Sequence, residues 1–308
     1  MQNESPMVSV VMCCYNSEQY IRETIESVLN QTYSNFEFII WNDGSTDSTE
    51  EIIKSYSDNR IRYFYHKNTG VGVARKLANS NAKGKYIAII DSDDICFPSR
   101  IEKEFLFLEN HRDYVIVSSQ MIYIGEDGVE LGYSYSVLSD FVIRRKMKNS
   151  SVISHPACMY NRAIYNKVGG YSGIVLGEDH LLFSKMMKYG KAYNLPYPLI
   201  KYRIRSMSLM HSIEGNKYLP VLDAYRKKMV GDTLISDADV RIYNNIYLRG
   251  KKEMEVAPLL STHVKVARKS IEDMLYSILK TFLGCSYSMR TTIAIKNYLH
   301  YIVYKILF

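Results

Sequence analysis

With 308 residues, 47% of them apolar and 23% charged, the chain has room for one large domain, or one domain with an appendage, around a sizeable core. The net charge of +7 is unevenly spread: residues 1–214 hold 24 basic and 24 acidic side chains, and residues 215–308 hold 15 basic and 8 acidic. A neutral body with a basic appendage facing something anionic follows, and no nucleic-acid partner is expected. The cysteines, Cys13, Cys14, Cys96, Cys158 and Cys285, are odd in number and form no C-x-x-C. That excludes a disulfide framework and a zinc site and points to reduced thiols in the cytoplasm. The apolar run 8–14 is too short for a signal peptide, and no stretch reaches the ~18 apolar residues of a spanning helix.

In chain order, the continuous apolar run 8–12 predicts a buried parallel strand. A helix is expected over 17–30, with Ile21, Ile25, Val28 and Leu29 at helical spacing and Asn16 or Ser17 as its cap. Residues 36–41 read as a second strand, and the turn 42–47 after it caps a helix over 48–56. A third strand over 61–65 precedes the loop Asn68-Thr69-Gly70-Val71-Gly72 and a helix carrying Ala74, Arg75, Leu77 and Ala78. Then comes KYIAIIDSDDICFP: a β-branched run over 86–90 that ends in Asp91, Asp93 and Asp94, with Pro98 placed to open the next helix. Four alternations of strand and helix predict an α/β, doubly wound parallel sheet. A helix to about residue 110, a strand over 114–119, hairpin turns at Gly125, Asp127-Gly128 and Gly132, a helix opening at Gly177-Glu178-Asp179, and an extended stretch over 193–202 complete the body.

From residue 216 onward the pattern is helical. Ile271, Met274, Leu275, Ile278 and Phe282 share one face, Gly284 can stop that helix, and Ile295, Leu299, Ile302 and Ile306 share the face of another. These helices suit an anionic bilayer surface; packing on the body or on a second copy is the competing reading.

Three carboxylates within four residues at a strand end repel one another unless solvated or bridged by a cation. Hard divalent ions take one or two carboxylates plus the oxygens of a phosphate substrate. Asp91, Asp93 and Asp94 therefore suggest a metal–diphosphate site, with a simple turn as the alternative. Asp43 could accept a base's N–H or cap a helix, and Tyr15 could stack on a base or pack at the rim. Arg75 could meet phosphate or base, or form an ion pair. Glu178-Asp179 could supply a general base, or simply answer a helix dipole. His155, Arg203, Arg205 and His211 are further candidates to face a diphosphate. The segment GVGVAR is only a partial dinucleotide fingerprint, and NAD binding is rejected; no phosphate-binding loop of the GxxxxGK[ST] type is present.

The pieces VSVVMCCYN, IIWNDGSTDST, NTGVGVAR, GKYIAIIDSDD, GEDHLL and KYRIRSMSLMHS, in that order and spacing, resemble the inverting glycosyltransferases of the large family 2 type, with the GT-A fold. The resemblance implies a glycosyltransferase domain over 1–214, with a Rossmann-like nucleotide half and an acceptor half. The basic helical extension over 215–308 is not covered by it. It further implies Tyr15 and Asp43 on the base with Arg75 assisting, Asp93 on ribose or metal, and Asp94 on Mg²⁺ or Mn²⁺. Asp179 would be the catalytic base and Glu178 would shape the acceptor site. Where the family often has a histidine after its YR motif stands Arg205, which can neutralise phosphate but not ligate a metal. Lys76 stands where an asparagine is common. The expected partners are a nucleotide-sugar donor, with a UDP-sugar expected, and a saccharide or lipid-linked saccharide acceptor at the inner membrane face. A nucleotidylyltransferase, a non-catalytic binding module and a membrane scaffold are the alternatives.

Overall fold

The computed structural model describes residues 6–134, 136–147, 151–175 and 177–205, together with the helical positions Val240, Arg241 and Asn244. The expected domain boundary at 214/215, the amphipathic helices of the last hundred residues, His211, Gly284 and Cys285 lie outside the described residues.

The first half alternates as the sequence predicts: β1 (Val8–Cys14), α1 (Ile21–Leu29), β2 (Phe36–Asn42), α2 (Thr49–Lys54), β3 (Ile61–Tyr65), α3 (Val71–Ser80) and β4 (Tyr86–Asp91). The second half holds β5 (Ile95–Cys96), α4 (Arg100–Asn110), β6 (Tyr114–Ile124), β7 (Glu130–Tyr133), α5 (Asp140–Met147), β8 (Met159–Asn161), α6 (Arg162–Lys167), α7 (Glu178–Met186) and β9 (Lys191–Arg203). One nine-stranded sheet runs β3-β2-β1-β4-β8-β6-β9-β5, with β7 beside β6. The β3-β2-β1-β4 half is wholly parallel. Beyond it β8 is antiparallel to β4 and β6, and β9 is parallel to β6.

Because side chains alternate across a strand, the apolar runs of β1, β2 and β4 feed two cores. Val10, Met12, Phe38, Ile40 and Ile90 pack with Ile21, Ile25 and Val28 of α1 and Ile101 of α4. Val11, Ile39 and Ile89 pack on the other face with Ala74 and Ala78 of α3 and Leu182 and Phe183 of α7. Arg100 is buried inside α4, where it pairs with Glu104 and donates to the carbonyl of Ile89 at 2.6 Å, fixing that helix to β4.

Several element boundaries differ from expectation. The first helix starts at Ile21, and its cap, Tyr20, makes no side-chain capping bond. Asn16, with φ 49°, instead accepts the Thr46 N–H at 2.9 Å, and the Ser17 N–H donates to Thr49 Oγ1 at 2.7 Å. Both expected caps are thus used to join the exit of β1 to the segment after β2. Pro98 sits in the turn before α4. β6 runs on to Ile124, since the 125–128 turn returns it to β7. Pro196 and Pro198 are tolerated inside β9 because its register with β6 slips around them, where no ladder N–H is required. No helix among the described residues is long and apolar enough to cross a membrane.

Candidate active site

The chain moves outward from β1 through β2 to β3 and then returns to pair β4 with the other side of β1. Strand order reverses there, and open α/β sheets bind ligands in the crevice at such a point, beyond the carboxyl ends of the strands. The register places Cys13 opposite both Trp41 and Asp91, and Cys14 opposite Asn42. Tyr15, Asp43 and the Asp91–Asp94 turn therefore leave the sheet along one edge. Tyr15 is 51% exposed at the rim, its ring open to solvent.

Asp43, expected to hold a base, stands at the crevice edge and also binds a loop. It is buried, and its carboxylate accepts the Thr69 N–H at 3.1 Å, the Thr69 hydroxyl at 2.9 Å and the Gly70 N–H at 3.0 Å. Much of its acceptor capacity goes to the loop that opens α3, whose Gly70 has φ 82°.

Arg75, expected beside phosphate or base, is likewise committed. Its guanidinium pairs with Asp91 at 3.0 Å and with Glu178. This ties the end of β4 to the start of α7. Glu178, expected to shape the acceptor site, is 4% exposed and serves as the anchor of that helix. Burial pushes its carboxyl up to about 7, Arg75 pulls it back, and the neighbouring Asp179 pushes it further up. Asp179 stands next to it, half-buried in the first turn of α7. It accepts the His180 N–H on Oδ1 at 2.7 Å and has no ion pair among the described residues.

The DSDD carboxylates part company. Asp93 is partly exposed and faces Arg205 at 2.8 Å; burial raises its carboxyl to about 6 against the opposing pull of Arg205. Asp94 is 0% exposed, accepts the Arg203 N–H on Oδ1 at 2.8 Å, and has an Oδ2 with no partner. Burial and the adjacent Asp93 raise its carboxyl well above the usual range. The free Oδ2 is an orphaned hard oxygen beside Asp93, which fits the expectation that Asp94 would hold the metal. Asp93, with Asp91 two residues before it, supplies the accessible hard oxygens. These fit Mg²⁺ or Mn²⁺ taken up together with substrate phosphates. Among the described residues no group of three or more His, Cys, Asp or Glu side chains could hold an ion by itself.

Two sequence candidates do not reach the crevice. Arg203 is buried and donates to the carbonyls of Asp93 at 3.0 Å and Gly125 at 3.2 Å and to Glu23 at 2.6 Å, locking the DSDD turn to α1 and to the β6–β7 turn. His155 is buried with Nε2 2.7 Å from the Tyr171 hydroxyl. Thr69, whose N–H and hydroxyl both bind Asp43, carries no signal in the sequence beyond its place in a glycine-containing loop. Since Arg75 compensates two carboxylates, Arg75→Ala is expected to lower the unfolding free energy by about 3–5 kcal/mol. Adding Glu178→Gln should reveal a coupling of about 1–3 kcal/mol. Urea denaturation of the two single variants and the double variant measures both.

Comparison with known proteins places this geometry. The model of glycosyl transferase family 2 matches residues 9–169, which include β1 to β4, Arg75 and the DSDD turn. An uncharacterized glycosyltransferase of Methanocaldococcus jannaschii is 34% identical over 215 residues, covering 65% of this chain and 72% of that protein. An uncharacterized glycosyltransferase of Haemophilus influenzae is 30% identical over 98% of this chain and 92% of its own length. Among solved structures, S. aureus TarS in complex with UDP-GlcNAc superposes with a TM-score of 0.59 at 20% identity, covering 85% of this chain and 77% of that one. The last likeness establishes the GT-A architecture; the sequence matches, which carry the switch-point residues themselves, establish that the chain belongs to glycosyl transferase family 2.

Proposed function

We propose that the chain transfers a sugar from a nucleoside diphosphate sugar, with UDP as the nucleotide, to a hydroxyl of a saccharide or lipid-linked saccharide, inverting the anomeric carbon. The observation that carries this reading is the Arg75 bridge, which brings the helix start bearing Asp179 to the same sheet edge as Asp91 and Asp93. The complexes of TarS with UDP and with UDP-GlcNAc, on the same fold, support UDP as the nucleotide.

Tyr15 offers the base an open ring at the rim. Arg205, beside Asp93, is a permanent cation for the diphosphate. Asp179 has one carboxylate oxygen bonded to the His180 N–H and uses the other to take the proton of the acceptor hydroxyl. The acceptor oxygen then bonds to the anomeric carbon as the bond to the diphosphate breaks, and the electron pair leaves with the nucleotide. A single displacement needs one carboxylate base. Asp93 and Asp94 would hold a divalent cation, which when bound would supply Lewis-acid stabilisation of the leaving group's charge. The product fits surface polysaccharide synthesis at the inner face of the cell membrane.

Asp179→Asn is expected to keep UDP affinity while transfer from a panel of UDP-sugars falls about 100- to 10,000-fold, the usual worth of a general base. Unchanged turnover at saturating donor rules out Asp179 as the base. For the metal, titration of UDP with and without Mn²⁺ is the measurement. Asp94→Asn and Asp93→Asn should each erase the Mn²⁺-dependent gain in affinity while the fold stays intact; a variant that binds UDP and Mn²⁺ as the parent does is not at a metal ligand.

Peripheral membrane attachment rests on the basic excess of residues 215–308. Anionic headgroups attract such charge at about 1 kcal/mol for each Lys or Arg near the surface. In vesicle sedimentation the full chain should pellet with anionic but not neutral vesicles at low salt, and be released as salt rises.

A further inference from the structure

We propose that Asn244, from the C-terminal extension, is a positioning residue of the active site. Its carboxamide clamps the 173–175 segment that leads into α7 and so fixes where Asp179 stands. The proposal rests on the reading of Asp179 as the base. Two hydrogen bonds define the clamp. The Val175 N–H donates to Asn244 Oδ1 at 2.9 Å, and Asn244 Nδ2 donates to the Gly173 carbonyl at 3.3 Å. One carboxamide thus serves both a donor and an acceptor of a single stretch of backbone. The partners also fix its orientation, because a flipped amide would set N–H against N–H and oxygen against oxygen.

The segment needs such a partner. Residues 173–175 belong to no helix or strand, so their backbone groups have no ladder of their own. Gly173, with φ 80°, and Gly177, with φ 75°, bracket it in left-handed conformations. Glycine supplies that geometry at no steric cost but also leaves the chain free to abandon it.

The segment is pressed from another side by α3. A Cβ on Gly72 would lie 2.1 Å from the Ile174 carbonyl oxygen, so helix and segment meet backbone to backbone. Ile174 is buried at the same place. The same helix carries Arg75, which holds Glu178. The start of α7 is therefore fixed through two routes: Arg75 by its ion pair with Glu178, and Asn244 by its grip on the approach. The extension, which the sequence presents as an appendage, becomes part of the catalytic unit at this residue.

The test uses the full-length chain with Asn244→Ala and the isosteric Asn244→Leu. Hydrogen exchange reads the clamp and UDP titration reads the nucleotide site. UDP release from a panel of UDP-sugars gives kcat and KM. In both variants the Val175 amide should exchange about 5- to 50-fold faster and kcat should fall by a similar factor, the scale of one or two lost hydrogen bonds. UDP affinity, donor KM and the thermal midpoint should stay near the parent's, because Tyr15, Asp43 and Asp93 are untouched. A purely structural role would instead lower the midpoint and UDP affinity together. Val175 exchange at the parent's rate in both variants, parent-like exchange in Asn244→Leu alone, or a loss of UDP affinity as large as the loss of kcat overturns the proposal. The exchange readout does not involve Asp179, so failure of the clamp and failure of Asp179 as base, read from Asp179→Asn, are distinguishable.

Discussion

A mostly buried guanidinium between two carboxylates holds this site together. Arg75 leaves the first half of the fold on α3 and meets Asp91 from the end of β4 and Glu178 from the start of α7. Glu178 is buried, so without the cation it is left with a desolvation cost and no compensation, while Asp91 stays partly solvated. The bridge also has a geometric effect. Asp91 belongs to the parallel half of the sheet and Glu178 to a helix nearly ninety positions later, so one guanidinium, through two ion pairs, links the two halves of the crevice.

The DSDD turn solves its own repulsion by giving each carboxylate a different partner. Asp91 takes Arg75, Asp93 takes Arg205, and Asp94 turns inward onto the Arg203 N–H. Arg203 then ties the turn's backbone to α1 and to the β6–β7 turn. Three arginines therefore surround four residues, and both the Asp91–Arg75 and the Asp93–Arg205 pairs stay partly exposed. An exposed ion pair is held weakly and exchanges partners readily, which suits a carboxylate and a guanidinium that both have charges to meet on a donor.

Asp43 and Asn244 show the same economy applied to loops. Each spends its polar atoms on backbone that no strand or helix satisfies, Asp43 on residues 69–70 and Asn244 on residues 173–175. Both loops end at helices that start at the crevice, α3 and α7. Side chains that look like ligand contacts in a linear reading can act one step away, by shaping the backbone that makes the site.

The sequence by itself determined the alternation of β1 to β4, the parallel half-sheet and the acidic edge, because continuous apolar runs and periodic helices are local patterns. It also brought Tyr15, Asp43, Arg75, the DSDD carboxylates and Glu178-Asp179 into one list. It could not assign partners. Whether Asp93 or Asp94 faces the crevice depends on how a four-residue turn meets β9, more than a hundred positions away. Whether Arg75 meets ligand or protein depends on where α7 arrives. The mixed half of the sheet, with β6 extended to Ile124 and β9 slipping past its prolines, likewise follows from pairings between distant segments. Local chemistry named the residues; only the tertiary contacts, which are non-local and compete for each carboxylate, decided which of them face the crevice and which of them hold it in shape.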